Sequence, residues 1–236
     1  MSDIHGHYGE YLEMLDRIGF SEEDTLFVLG DMVDRGSAPM ALLRDMMARD
    51  NVFAIAGNHD LAAHAVLSRL NTEITRENYD SALDATTMGA MMDWLQNGGK
   101  STLADFSRLS PEERADVLDY LGDLPLYELA DAGENSFILV HAGLGDFRPD
   151  RKLREYTAEQ LAFCRTDPNR AYFGREDLYV VSGHTPTLRL WGKAEILKEQ
   201  DNICIDCGIA HEGGRLACLC LDTLEEFYVN KKDADA

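Results

Sequence analysis

Short apolar runs rich in β-branched and aromatic residues recur along the chain at positions 25–30, 52–57, 136–140, 178–182, 202–205, 216–221 and 226–229. Each has the length and composition of a strand. Several are apolar almost throughout, the pattern of strands buried on both faces. Between the early runs the period lengthens. Tyr8, Tyr11, Leu12, Leu15 and Ile18 fall on one face of a helix, and a second helix runs from Pro39 through Met40 and Leu43 to Met47. The first half of the chain therefore reads β-α-β.

Strand signals vanish over residues 61–124, which read as a helical insertion or lid. Ser110, Pro111 and Glu113 spell a helix start ahead of Val117, Leu118 and Leu121. The second half is rich in strands joined by short connections, so a mixed sheet or two packed sheets is expected rather than a simple Rossmann order. One domain with an insertion suits the 236 residues and 45% hydrophobic content.

Composition narrows the function. A net charge of -21 opposes nonspecific binding to nucleic acids and anionic membranes, so an anionic substrate must be attracted locally. No apolar run is long enough for a membrane span and no basic-then-apolar leader is seen, so a soluble, cytoplasmic protein is expected. The five cysteines do not form a disulfide framework. Cys204, Cys207, Cys218 and Cys220 could suggest zinc, but the last two alternate inside an apolar strand, and core packing is the expectation. The methionines around Met46 and Met88–Met92 are also read as core.

The chemistry lies where the strands end. Asp31 follows Phe27-Val28-Leu29-Gly30, Asn58 and His59 follow Ile55-Ala56-Gly57, His141 follows Ile138-Leu139-Val140, and His184 follows Val180-Val181-Ser182-Gly183. In α/β folds this edge is where ligands bind. Asp3 and His5 are alternate residues of an extended segment, so both side chains can reach one ion. Six oxygen and nitrogen donors fit two divalent cations with Asp31 as the shared ligand.

These residues resemble the motifs of the calcineurin-like metallophosphoesterases, and within them the phosphoprotein phosphatase family that includes bacterial serine/threonine phosphatases. Ser2-Asp3-Ile4-His5-Gly6 is similar to G-D-x-H-G, Gly30-Asp31-Met32-Val33-Asp34-Arg35-Gly36 to G-D-x-V-D-R-G, and Gly57-Asn58-His59-Asp60 to G-N-H-[ED]. His141-Ala142-Gly143 and Gly183-His184-Thr185 complete the order, and the resemblance spans about residues 1–221. It implies an α/β fold with α+β elements: two packed mixed β-sheets flanked by helices.

The resemblance further implies a first metal on Asp3, His5 and Asp31 and a second on Asp31, Asn58, His141 and His184. Manganese is the expected ion, with iron and zinc as alternatives. A metal-bridging hydroxide would attack phosphorus with His59 as general acid and Asp34 as its partner. Arg35, Asn58 and a second arginine would hold the phosphate. Arg165 stands where that second arginine belongs, with Arg170 and Arg175 close by, and Asp206 would support the ligands. His7, His64 and His211 fall outside the motifs. Because the chain opens at the first motif, with Ser2 in place of glycine, the Asp3/His5 arm is expected to be loosely held and the first metal to be the weaker.

The implied activity is that of a metal-dependent phosphoric ester hydrolase acting on a phosphorylated protein, at phosphoserine and phosphothreonine. A hydrolase of dinucleoside polyphosphates or other small phosphoesters shares the motifs, and a silent phospho-binding scaffold is the alternative from another class.

Overall fold

A computed structural model describes residues 1–72, 85–165 and 167–232. Helix α1 (Tyr8–Arg17) leads to β1 (Leu26–Val28), and α2 (Pro39–Met47) leads to β2 (Val52–Ala54), which pairs parallel to β1. Among the described residues there follow the helices α3 (Asn58–Leu70), α4 (Ala85–Trp94), α5 (Lys100–Phe106) and α6 (Pro111–Asp123), with a π-helical turn at Leu95–Gly99. Part of the expected insertion, residues 73–84, lies outside the described residues.

The second half holds β3 (Tyr127–Ala132), β4 (Asn135–Val140), α7 (Ala158–Ala162), β5 (Leu178–Ser182), α8 (Thr187–Trp191), β6 (Leu197–Glu199), β7 (Asn202–Cys204), β8 (Arg215–Leu219) and β9 (Glu226–Asn230). A five-stranded mixed sheet has the order β3-β4-β5-β7-β6, parallel at β4-β5-β7 and antiparallel at both edges. The antiparallel β8-β9 pair completes the sheets.

Alternation of side chains sorts the layers. In β4, Phe137 and Leu139 face a core shared with Leu29, Ile55 and Ala217, whereas Ile138 and Val140 face Leu144, Leu161 and Tyr172. In β8, Ala217 and Leu219 point into the shared core, while Leu216 and Cys218 join Tyr11, Met14, Leu43 and the other helical residues. The order is thus helices, the β1-β2 and β8-β9 pairs, the five-stranded sheet, and α7 with its loops. Two packed mixed layers flanked by helices match the expectation, and burial on both faces explains why these strands read as continuous apolar runs.

Two edge strands gave no apolar signal. β3 is half exposed, with Leu129 60% accessible, and its Tyr-Glu-Leu-Ala-Asp-Ala run exists by pairing with β4 across Gly133-Glu134. β6 is a three-residue strand held to β7 across Gln200-Asp201. The methionines divide: Met46 is buried and Met91 packs on the core, but Met47, Met88 and Met92 are exposed, so the reading of both clusters as core holds only in part. Among the described residues no helix is long and apolar enough to cross a membrane.

A cavity of about 450 Å³, lined by Phe27, Leu29, Ala132, Leu139 and Leu221 among others, opens between the layers and contains none of the expected ligands. The chemistry lies elsewhere, at the strand ends.

The α6 start is a complete capping box: Glu113 N donates to Ser110 Oγ at 3.2 Å, and Ser110 N to Glu113 Oε2 at 2.8 Å. Ser110→Ala should lower unfolding free energy by about 1 kcal/mol, read as a shifted denaturant midpoint at unchanged slope.

Candidate metal centre

Residues 1–6 run beside β1 and its exit. Leu29 N donates to Met1 O (2.9 Å), Asp3 N to Gly30 O (3.0 Å), His5 N to Asp31 O (2.9 Å) and Gly6 N to Met32 O (2.7 Å). Ser2, Asp3 and His5 are buried. The expectation of a loosely held arm is corrected: backbone pairing and burial fix Asp3 and His5 as firmly as the other strand ends.

The loops that carry the chemistry are bent into the left-handed region at side-chain-bearing residues: Asp3 (φ 52), His5 (φ 49), Asp31 (φ 53), Asp34 (φ 72), Arg35 (φ 69) and His184 (φ 64). Each such residue costs of order 1–3 kcal/mol, and such strain clusters at functional sites. Asp60 is one of the groups that offset it. Its carboxylate accepts from Asp31 N (2.7 Å), Met32 N (3.0 Å) and Gly57 N (2.9 Å), tying the loop after β1 to the start of α3. At Gly30 (φ 81) a Cβ would stand 2.5 Å from Gly57 N, so only glycine lets the two loops meet. Asp60 was visible in the sequence only as a motif letter; its bond to Gly57 N is local, but those to Asp31, Met32 and Val33 come from nonlocal folding.

The ligand atoms fall into two groups that share one carboxylate. Atoms of His5, Asp31 and His59 lie within 4.8 Å of one another, as do atoms of Asp31, His141 and His184. Asn58 joins the second, its Oδ1 3.1 Å from His141 Nε2. Asp3 lies outside both tight groups: its Oδ2 accepts from Ser2 Oγ and from His184 N (2.9 Å). His59, expected as an acid, has a ring nitrogen close to the first group.

The donor set fits cations. His141 Nδ1 donates to Leu29 O (2.7 Å), which turns Nε2 toward Asn58 Oδ1 and Asp31 Oδ1 (3.4 Å), where one cation could meet all three atoms. His184 Nε2 is buried and has no hydrogen-bond partner among the described residues. His5 Nδ1 donates to Val33 O (2.8 Å) and His59 Nδ1 to Asp34 Oδ2 (2.7 Å), leaving both Nε2 lone pairs to the Arg35 guanidinium at 2.6 and 2.8 Å. An imidazole whose other nitrogen is held by a carbonyl is the usual metal-ligand arrangement, and Arg35 places positive charge where His5 and His59 present lone pairs.

Electrostatics agree. Burial alone would raise the Asp31 carboxyl, but the facing imidazoles of His141, His59 and His5 outweigh it and hold Asp31 well below the ordinary range. Burial pushes Asp3 up to about 6 and Asp60 up to about 7, and Asp31's charge adds to both. Asp206 is driven well above its usual range by burial and then by Asp3. Burial, followed by His141's charge, lowers His184 to about 3, keeping its imidazole neutral. The buried carboxyls oppose one another's ionisation, and divalent cations would stabilise their charged forms.

Of the arginines, Arg165 reaches the site: Nη1 donates to Thr185 Oγ1 at 2.8 Å, beside His184. Arg170 packs over the Phe147 ring and Arg175 pairs with Asp177 at 2.6 Å. Asp206 is buried, with Oδ1 accepting from Gly208 N (2.8 Å). Cys204, Cys207 and Cys218 are buried free thiols, and neither metal-capable group among the described residues includes a cysteine or His7, His64 or His211.

Residues 1–210 match the family model of the calcineurin-like phosphoesterases. The chain belongs to that family. Among curated relatives it is similar to the symmetrical bis(5'-nucleosyl)-tetraphosphatase of Delftia acidovorans, 32% identical over 164 residues, covering 64% of this chain and 57% of that protein. The enzyme of the same name from Erwinia tasmaniensis is 31% identical over 134 residues, 56% of this chain and 46% of that one. The matched stretch thus spans about half the length of these relatives. A solved structure described as a candidate diadenosine tetraphosphatase superposes with a TM-score of 0.66 at 19% identity, covering 99% of this chain and 92% of that one, a likeness of fold. The calcineurin-like resemblance stands; the two curated relatives bear the name of the dinucleoside polyphosphate reading rather than that of a serine/threonine phosphatase.

Metal titration of the purified chain by calorimetry should resolve two sites of comparable affinity. Asp31→Ala should abolish both, and Asp60→Ala, which frees the loop without removing a ligand, should weaken binding by about 10–100-fold.

Proposed function

We propose that the chain is a metal-dependent phosphoester hydrolase acting on dinucleoside polyphosphates. The observation that supports hydrolysis is the sharing of Asp31 by two groups of convergent carboxylate and imidazole ligand atoms. The names of the curated relatives support the substrate class. Asp3, His5 and Asp31 would hold one cation and Asp31, Asn58, His141 and His184 the other, with manganese as the proposed ion. When bound, the two cations offset charge on the phosphoryl oxygens and make a water acidic enough to attack at neutral pH.

The remaining work falls to side chains of this chain. The exposed Arg35 contacts His5 and His59, and the exposed Arg165 lies beside His184, so each group of ligands has a guanidinium at its mouth able to pair phosphoryl oxygens. They supply the local attraction that a chain of net charge -21 needs for a polyanion. Asp34 anchors His59 Nδ1–H and favours the protonated imidazole, whose Nε2–H at the mouth can be given to the leaving oxygen. With water as nucleophile no phosphoenzyme forms.

With Mn²⁺, kcat/KM for diadenosine tetraphosphate should exceed that for a phosphoserine peptide by about 100-fold or more, measured side by side. The reverse ratio would overturn the substrate assignment in favour of a protein phosphatase. Chelation should abolish turnover and Mn²⁺ restore it. Arg35→Ala should lower kcat/KM by about 10–100-fold, the loss of a charge-assisted pair of about 1.5–3 kcal/mol.

A further inference from the structure

Asp34 is fully buried, yet it stands in neither metal-capable group, and among its partners in the described residues the one side chain able to carry positive charge is His59. Its carboxylate accepts from His59 Nδ1 (2.7 Å), from Thr102 Oγ1 (2.7 Å) and from Trp94 Nε1 (2.9 Å to Oδ2, 3.1 Å to Oδ1). The Thr102 hydroxyl also accepts from Asp34 N at 2.8 Å, so one group grips both the backbone and the side chain of a residue in the left-handed region.

Both donors come from the helical segment more than 50 residues further along, and the turn between them is shaped for the purpose. Trp94 ends α4, Thr102 lies in the first turn of α5, and Leu95–Gly99 forms the π-helical turn that joins them. Such turns recur at functional sites. At Gly99 a Cβ would stand 2.4 Å from the Trp94 ring, so glycine there leaves room for the indole. Gly98 O accepts from Arg35 N at 3.0 Å, so the same turn also holds the backbone of the arginine beside Asp34.

We propose that Trp94 and Thr102 are positioning residues that fix Asp34 and, through it, the His59 imidazole. The proposal rests on the reading of His59 as proton donor. As water oxygen bonds to phosphorus, the bond from phosphorus to the leaving oxygen breaks with its electron pair passing to that oxygen, which takes the proton from His59 Nε2. A carboxylate free to rotate would leave the imidazole mixed in tautomer and direction, and the loss would grow with the basicity of the leaving group.

The test compares p-nitrophenyl phosphate, whose leaving group barely needs a proton, with phenyl phosphate, which is nearly the same shape and needs one. In the Mn²⁺ enzyme, Thr102→Val and Trp94→Phe should lower kcat on phenyl phosphate by about 10-fold or more and on p-nitrophenyl phosphate by less than about 3-fold, with KM and bound metal unchanged. Thr102→Ser should restore the rate, and Gly99→Ala, which displaces the indole, should reproduce the loss. In metal-free protein, ¹⁵N imidazole NMR should show the Nδ1–H tautomer of His59 in the wild type and in Thr102→Ser, and a mixture in Thr102→Val. Equal losses on the two esters, or a His59 tautomer indifferent to Thr102, would overturn the proposal. If the wild type hydrolyses neither ester while the tautomer still follows Thr102, the positioning role stands and the catalytic reading fails.

Discussion

The site depends on the burial of Asp31 among three imidazoles. A lone carboxylate there would be strongly disfavoured, and its charge is retained because His5, His59 and His141 face it. Everything near it is arranged around that charge. His59 N donates to its Oδ1, Asp60 holds its own backbone N–H, and the two metal-capable groups meet on its oxygens. Strand ends from both layers converge on it, β1 and β2 from one and β4 and β5 from the other. The packing of the sheets is thereby tied to the geometry of the centre.

Much of this was legible in the sequence because it is local. Asp31, Asn58, His141 and His184 each follow an apolar run, and a buried strand places the next polar residue at the edge of the sheet. The seven strands read from apolar runs are all present, and the capping box at Ser110 forms. β3 and β6 escaped because edge strands owe their pairing to a neighbour rather than to their own apolar content. The partners of Asp34 escaped for a related reason. Nothing in the composition of α4 or α5 distinguishes Trp94 and Thr102 from core residues, and only the fold carries them to a carboxylate so far back in the chain.

The segment read as an insertion or lid therefore has a structural part in the centre. Its described helices pack on α2 and α3, Trp94 and Thr102 on either side of its π-helical turn donate to Asp34, and Gly98 in the turn accepts from Arg35 N. An imidazole proposed to donate a proton needs rigid support, and helices provide it better than loops do. The helical wall holds His59 through Asp34 independently of the substrate proposed for the centre.

The left-handed backbone at Asp3, Asp31 and Asp34 bears on how this protein can change. Glycine relaxes such a position at once, and asparagine is among the side chains most at ease there. Either replacement also removes a carboxylate from the centre. Selection for heat resistance alone would thus favour relaxed variants that have lost the ligands, and the chain's stability and its chemistry pull the same three residues in opposite directions.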